Sequence, residues 1–362
     1  MMILTKDMYV PALRWRMAEY QALLRLSANA KERVVPFITI PELEFDFDSW
    51  KPKKTIHEHV HPFVARYKNK WGKRPAWIGL HPSIVDGAMG DGRDILTFVF
   101  AGLREFEAKA IPLIRLDAES RFQKSVAAII GQDGQGVAIA ARLEDLMKKD
   151  AFSRVVAMFR SLGVDEDEVD LIIDLGEPNF EPYDTFSVAL IAALRRLGDL
   201  NRFRNFVLVG TAIPETFKGI AKGQDELPRH DWLFFQTLLS KLPLGMRRPN
   251  YGDYTIVHPN FTPQDMRKIK AAGKIVYTTG SSWWVRKGGA FRGNEEQMHE
   301  HCNVLVGSGV FKGNDYSYGD DYIGNCAIMK VTPSNLTRWK NVAINHHMMH
   351  VLDDLSTSGA AP

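Results

Sequence analysis

VDLIIDLGE, residues 169–177, is the stretch on which the fold turns. Aliphatic side chains crowd it, and it closes on Asp174 and Glu177. A run so short and so apolar suits a strand buried on both faces, as parallel strands are beneath covering helices. Seven more stretches share this form: Tyr9–Trp15, Val34–Glu42, Ala76–His81, Ile111–Asp117, Val137–Asp145, Phe206–Glu215 and Tyr251–His258. A segment of helical periodicity follows nearly every one. That alternation predicts parallel strands whose C-terminal ends converge on one polar face. Eight such units close into an α/β fold, a (β/α)8 TIM-barrel-like domain over residues 1–260. Its charged strand ends then line one mouth, where barrel enzymes place their chemistry.

Between the strands, AEYQALLRLSANAKE (18–32) has the i, i+3, i+4 apolar spacing of an amphipathic helix. ILTFVFAGLREFEAKA (95–110), SVALIAALRRLGDL (187–200) and LPRHDWLFFQTLLSKLP (227–243) read as helices too, with Gly198 as a stop for the second. The acidic run GVDEDEVD (163–170) reads as a solvated loop or helix entry. Past residue 260 the pattern changes, and residues 261–362 read as a C-terminal α+β extension packed on the barrel. NFTPQDMRKIKAAG (260–273) reads as a helix, KIVYTTGSSWWVRKGG (274–289) as strand, turn and strand, and EEQMHEHCNVLVGS (295–308) as a short helix. FKGNDYSYGDDYIGNCA (311–327) has the Gly, Asn, Asp and Tyr content of a loop. SNLTRWKNVAINHHMMHVLDDL (334–355) is a helix with Ser334 or Asn335 as cap, and STSGAAP (356–362) a frayed tail.

Bulk properties narrow the function classes. The 362 residues carry a formal charge of +3, too weak a basic bias to argue for nucleic acid alone. Two cysteines, Cys302 and Cys326, are too few for a disulfide framework and suit a reducing cytoplasm. No apolar run reaches the roughly 18–20 residues of a membrane helix, and the N-terminus lacks the pattern of a secretory signal. Serine hydrolase, zinc protease and kinase signatures are absent, as are GxGxxG and P-loop patterns.

Four constellations remain. At the strand ends stand Arg14, Arg16, Glu42, Glu44, His81, Asp117, Arg142, Glu144, Asp145, Asp174, Glu177, Glu215 and His258. Inward carboxylates beside a histidine suit a divalent cation or general acid–base work, and arginines suit a bidentate grip on phosphate. The plainer alternative is mutual neutralisation at a solvated rim. In GSSWWVRKGGAFRGN (280–294), Trp283 and Trp284 face opposite sides of a strand and cannot form one stacking platform. His299, His301 and Cys302 lie too close in sequence, and without a CxxC, to make a zinc site. On the last helix Arg338, Asn345 and His346 share a face, which brings His346 to the barrel mouth as a lid.

Two segments carry a family resemblance. MYVPALRWRMAEYQALLRL (8–26) followed by VVPFITIPE (34–42), and FKGNDYSYGDDYI (311–323) followed by SNLTRWKNVAINHHMMHVLDDL, resemble the phage beta-protein family, named from the beta protein of a T-even bacteriophage. The resemblance implies a role near phage–host conflict and transfers no catalytic residue. Thr39 stands where an acidic residue is more familiar in that motif, which weakens a metal role for its strand.

The combined expectation is a cytoplasmic protein with no membrane association. It binds an anionic, phosphate-containing small molecule or nucleic acid at the barrel mouth. Arg14, Arg16, Arg142 and Arg338 hold the anion, and His81, Asp174, Glu215, His258 and His346 serve as catalytic groups. A rival is a metal-dependent phosphodiesterase or nuclease in which Glu42, Asp117 and Glu144 bind Mg²⁺ or Mn²⁺. A third expectation is a non-catalytic protein partner in a defence system, docking through the tryptophan-bearing extension.

Overall fold

The computed structural model describes residues 2–260 and 269–358. The expected helix over 260–273 falls largely outside them, as do the last four residues of the chain. Eight parallel strands close into a barrel. They begin with β1 (Val10–Leu13) and β2 (Phe37–Ile40), after which a small ribbon, β3 (Phe45–Asp46) and β4 (Lys51–Pro52), is inserted. The barrel continues through β5 (Ala76–Leu80), β6 (Ala110–Arg115), β7 (Val137–Arg142), β8 (Val169–Gly176) and β9 (Asn205–Gly210). It closes, after an outlying strand β10 (Gly223–Pro228), with β11 (Asn250–Asp253) paired to β1. Every barrel strand coincides with one of the eight apolar stretches, β6, β9 and β11 each starting one residue earlier, so the (β/α)8 expectation holds.

Alternate residues fill the interior, among them Val10, Phe37, Trp77, Leu113, Ala140 and Ile172. The closing seam is tight. A Cβ on Gly252 would stand 2.7 Å from the Val10 carbonyl, so only glycine lets β11 approach β1 so closely.

The ring of helices is completed from the far end of the chain. Helix Leu336–Ser358 packs on the outer face of the β1–β11 seam, beside helix Met17–Leu24. Near its start Asn341 and Asn345 donate to the carbonyls of Ala18 and Ala22, both at 3.1 Å. Near its end Arg33, just before β2, donates to the Leu352 carbonyl at 2.8 Å. The helix therefore runs from the mouth end to the base, antiparallel to the strands, as a barrel helix does. It lies alongside the barrel wall and not over the mouth, which overturns its reading as a lid.

A smaller lobe stands beside the ring. Its antiparallel sheet has the order β10, β13 (Ser282–Ala290), β12 (Ala272–Thr278). Trp283 packs into the barrel-side core and Trp284 into a second core with Met298, Cys302 and Trp339. Both rings are buried, so neither offers the docking surface envisaged for the extension. The expected loop 311–327 is a helix from Tyr318 to Ala327, capped by Ser317, whose hydroxyl accepts from the Asp320 amide at 3.1 Å. The helix's own glycines serve packing, for a Cβ on Gly319 would lie 2.4 Å from the Val342 carbonyl, while Gly313 before it, at φ of 93°, is a turn residue as expected. The expected helix over 18–32 is two helices, since Ser27 caps a second one at Ala28.

The base of the barrel is sealed by charge. Asp170 accepts from Arg204 Nε at 2.7 Å and Nη2 at 2.6 Å, from Trp77 Nε1 at 2.6 Å and from Asn205 Nδ2 at 2.6 Å. Asn205 in turn accepts the Leu4 amide at 2.8 Å, tying the N-terminal segment across the opening. Asp170→Ala leaves a buried guanidinium uncompensated, and denaturant unfolding should show a loss of about 3–5 kcal/mol. A loss below about 1 kcal/mol, the scale of a surface pair, would show that the pair does not hold the base together.

A second carboxylate sets a pH dependence. Asp231 is buried beside the seam, where burial and the charge of Asp253 push its carboxyl up to about 7 against the pull of Arg229. The folded chain keeps a proton that the unfolded chain gives up near 3.8, so this group's stabilising contribution is lost as pH rises from there towards 7. Asp231→Asn should flatten that fall in a series of melting temperatures. A constant offset between the two proteins across the window would contradict the assignment.

Candidate functional site

The mouth of the barrel opens into a cavity of about 570 Å³. Six strand ends supply Arg14, His81, Arg115, Arg142, Asp174 and Tyr254 to its polar lining, which Thr39, Glu144, Glu177 and Asn260 complete. Local structure aims each one. Arg14 and Tyr254 are followed by Trp15 and Thr255, at φ of 49° and 57°, so both strands turn sharply at their last inward residue. Asp174 sits at a bulge in the β8–β9 pairing, and bulges re-aim side chains beside functional sites. Arg142 ends β7 and starts the next helix, whose Asp145 accepts its amide at 3.3 Å.

Asp174 is buried at the centre of the set. It accepts the Tyr254 hydroxyl at 2.7 Å and the Gly176 amide at 3.1 Å. Arg115 approaches its other oxygen only to 3.6 Å, beyond charge-assisted hydrogen-bond length, so the attraction is through space. Burial, then the charge of Asp174, pushes the Tyr254 phenol far up, so it stays a hydrogen-bond donor.

His81 turns its Nδ1 to Ser83, accepting the amide at 3.3 Å and lying 2.9 Å from the hydroxyl. With Nδ1 as acceptor, the ring proton of the neutral form sits on Nε2. Burial lowers its basicity first. The charges of Arg14, Arg115 and Arg16 act in the same sense, with Glu42 opposing.

Beside the mouth lies a second cavity of about 500 Å³. Glu42, which lines the second, links the two, standing 3.8 Å from Arg14 of the first and 2.8 Å from Arg16 of the second.

The structure thus gathers Arg14, His81, Arg142, Glu144 and Asp174 around one cavity, with Arg16 and Glu42 at its edge. His258 stands just behind the rim, paired to Glu177, which Asn260 also contacts at 2.6 Å. Other expected residues lie elsewhere. Asp117 is exposed on the turn after β6, and Glu215 is exposed on the loop after β9, neither lining the cavity. Arg338 donates to the Tyr318 hydroxyl at 2.5 Å, away from the mouth. His346 is fully buried in the wall, bonded to Asp320 at 2.9 Å and to the Thr278 carbonyl at 2.9 Å.

The carboxylates suggested as metal ligands do not converge. Among the described residues, no three His, Cys, Asp or Glu side chains form a group that could hold a metal. Arg115 and Tyr254 escaped sequence reading, although counting by twos from Ile111 and Leu113 points Arg115 inward, as counting from Gly252 does Tyr254.

A family model described as Beta protein matches residues 9–353, and among curated proteins none matches the chain.

His81 provides a check on the electrostatics of the cavity. Its ring should titrate below the ordinary 6.5 in an NMR pH series. Affinity for a phosphodiester of constant charge, such as dithymidine monophosphate, should then rise as pH falls through that value, as His81 gains its charge. His81→Gln should abolish the rise. Titration above 6.5 would mean that Glu42 outweighs burial and the three guanidinium groups.

Proposed function

The chain belongs to the beta protein family, and from that premise we propose that its barrel mouth binds a phosphate-bearing anion, a nucleotide or a nucleic acid end. The observation that carries the proposal is the placement of Arg14, Arg115 and Arg142, from three separate strands, around one cavity. Guanidinium groups present paired donors that match phosphate oxygens, and placing them on barrel strands holds them in register. Tyr254 and the Nε2–H of His81 supply neutral donors beside them. The volume of about 570 Å³ falls within the roughly 300–1,000 Å³ of small-molecule sites.

Groups in the cavity that can move protons are His81 and the carboxylates Asp174, Glu144 and Glu177. If the bound phosphodiester is hydrolysed, the work falls to these groups and not to His346 or Glu215, which lie outside the cavity. The setting in phage–host conflict rests on the family alone. Among the described residues no helix is long and apolar enough to cross a membrane, which fits the proposed cytoplasmic location.

Calorimetric titration with dithymidine monophosphate and a nucleoside triphosphate tests the proposal. Arg115→Ala and Arg142→Ala should each weaken binding roughly ten- to a hundredfold, the ~1.5–3 kcal/mol of hydrogen bonds to a charged group. Arg338→Ala, outside the mouth, should leave it unchanged. Equal affinity of all four proteins for both ligands would rule the mouth out as the anion site.

A further inference from the structure

Seven of the eight tryptophans are buried, and the eighth, Trp50, is 76% exposed. It stands in the β3–β4 ribbon, which rises from the C-terminal end of β2 and so from the mouth face of the barrel. Its φ of 53° is a left-handed conformation that a bulky side chain rarely adopts. The backbone is thus strained to present a large ring to solvent, which contributes nothing to the core. Phe47 buttresses that ring edge-on at 6.2 Å, and Phe45 beside it is 40% exposed.

Asp46 and Asp48 precede this aromatic tip, and cations follow it. Lys51, Lys53 and Lys54 follow Trp50 directly and are exposed. Lys53 and Lys54 also line the second cavity, with Arg16, Arg66 and Lys340. The carboxylates there already have partners. Glu19 accepts the Arg16 amide at 2.9 Å, Glu42 the Arg16 side chain at 2.8 Å, and Glu44 lies 3.8 Å from Lys53. In the ribbon, Asp46 is held by the amides of Asp48 and Ser49 at 2.8 and 3.0 Å. The surface therefore combines an exposed stacking face with a basic path that meets the mouth at Glu42.

We propose that the β3–β4 ribbon and the basic cavity beneath it form a track for single-stranded nucleic acid, with Trp50 as a base-stacking platform and the backbone led towards the mouth. Charge selects a polyanion, and the open aromatic face selects one whose bases are unpaired, because bases in a duplex have their faces covered. This deepens the reading of the mouth as a phosphate site and rests on it.

The test compares three probes on the intact protein: a labelled 20-nucleotide thymidine strand, the duplex it forms with its complement, and dithymidine monophosphate. The single strand should bind well above the other two, with an affinity that falls steeply with salt. Trp50→Ala should weaken the strand about tenfold, within the range of stacking on one aromatic ring, and leave the dinucleotide unaffected. Trp50→Phe should restore much of the loss, and replacing Lys51, Lys53 and Lys54 together by alanine should lessen the salt dependence. Duplex binding equal to the single strand would overturn the stacking role. A strand that binds no better than the dinucleotide, or is indifferent to both the Trp50 and the lysine variants, would overturn the track while leaving the mouth site standing on its dinucleotide affinity. Loss of dinucleotide binding from the unaltered protein would instead remove the mouth reading itself.

Discussion

One carboxylate holds three distant parts of the chain together. Asp253 ends the last barrel strand and is fully buried on its outer side. It accepts the hydroxyl of Tyr9 at the start of β1, the ring of His347 in the terminal helix at 2.9 Å, and the Thr255 amide at 2.7 Å. Burial alone would raise this carboxyl. His347 and the converging hydrogen bonds outweigh burial and keep it below the usual range. A buried carboxylate left without those partners would carry a large desolvation penalty. The same buried carboxylate therefore ties closure of the barrel, which sets the strands that carry the mouth, to the docking of its last helix.

The barrel divides its charges between two ends. At the base, Asp170 and Arg204 neutralise each other with side-chain exposures of 0% and 3%, and Trp77 and Asn205 take the remaining lone pairs. At the mouth, Arg14, Arg115 and Arg142 share the cavity with Asp174, Glu144 and Glu177, and Arg115 approaches Asp174 only to 3.6 Å. Charge is buried and closely paired at the closed end and lines an open cavity at the other. Barrels of this kind carry their binding chemistry at the C-terminal ends of the strands, the end at which this cavity opens.

Much of the fold was legible in the chain because parallel barrel strands are buried on both faces. Stretches such as VDLIIDLGE are too short and too apolar to be much else, and eight of them alternate with helical segments. The same periodicity placed Arg14, His81, Arg142 and Asp174 at strand ends. Boundaries were harder. Extending the fourth strand to Asp117 passed over Arg115, the residue that faces inward, and a charged strand end in sequence carries no mark of its direction until the register is known. Glycines misled as well, for Gly319 looks like part of a loop and instead lets two helices touch.

The sequence by itself determined the architecture, the existence of a polar mouth and most of its cations, because these depend on hydrophobic pattern and strand period, which are local properties. Tertiary structure alone decided which charges share a cavity and which are spent within the wall. His346 has the polar neighbours of a functional residue along its helix, yet that helix completes the ring and buries it against Asp320. Trp50 and Trp283 are the same residue type, the first in the turn of a ribbon and the second in a strand, and only packing leaves one in solvent and seals the other in the core. Burial depends on contacts between residues hundreds of positions apart, and those distances are written in the fold.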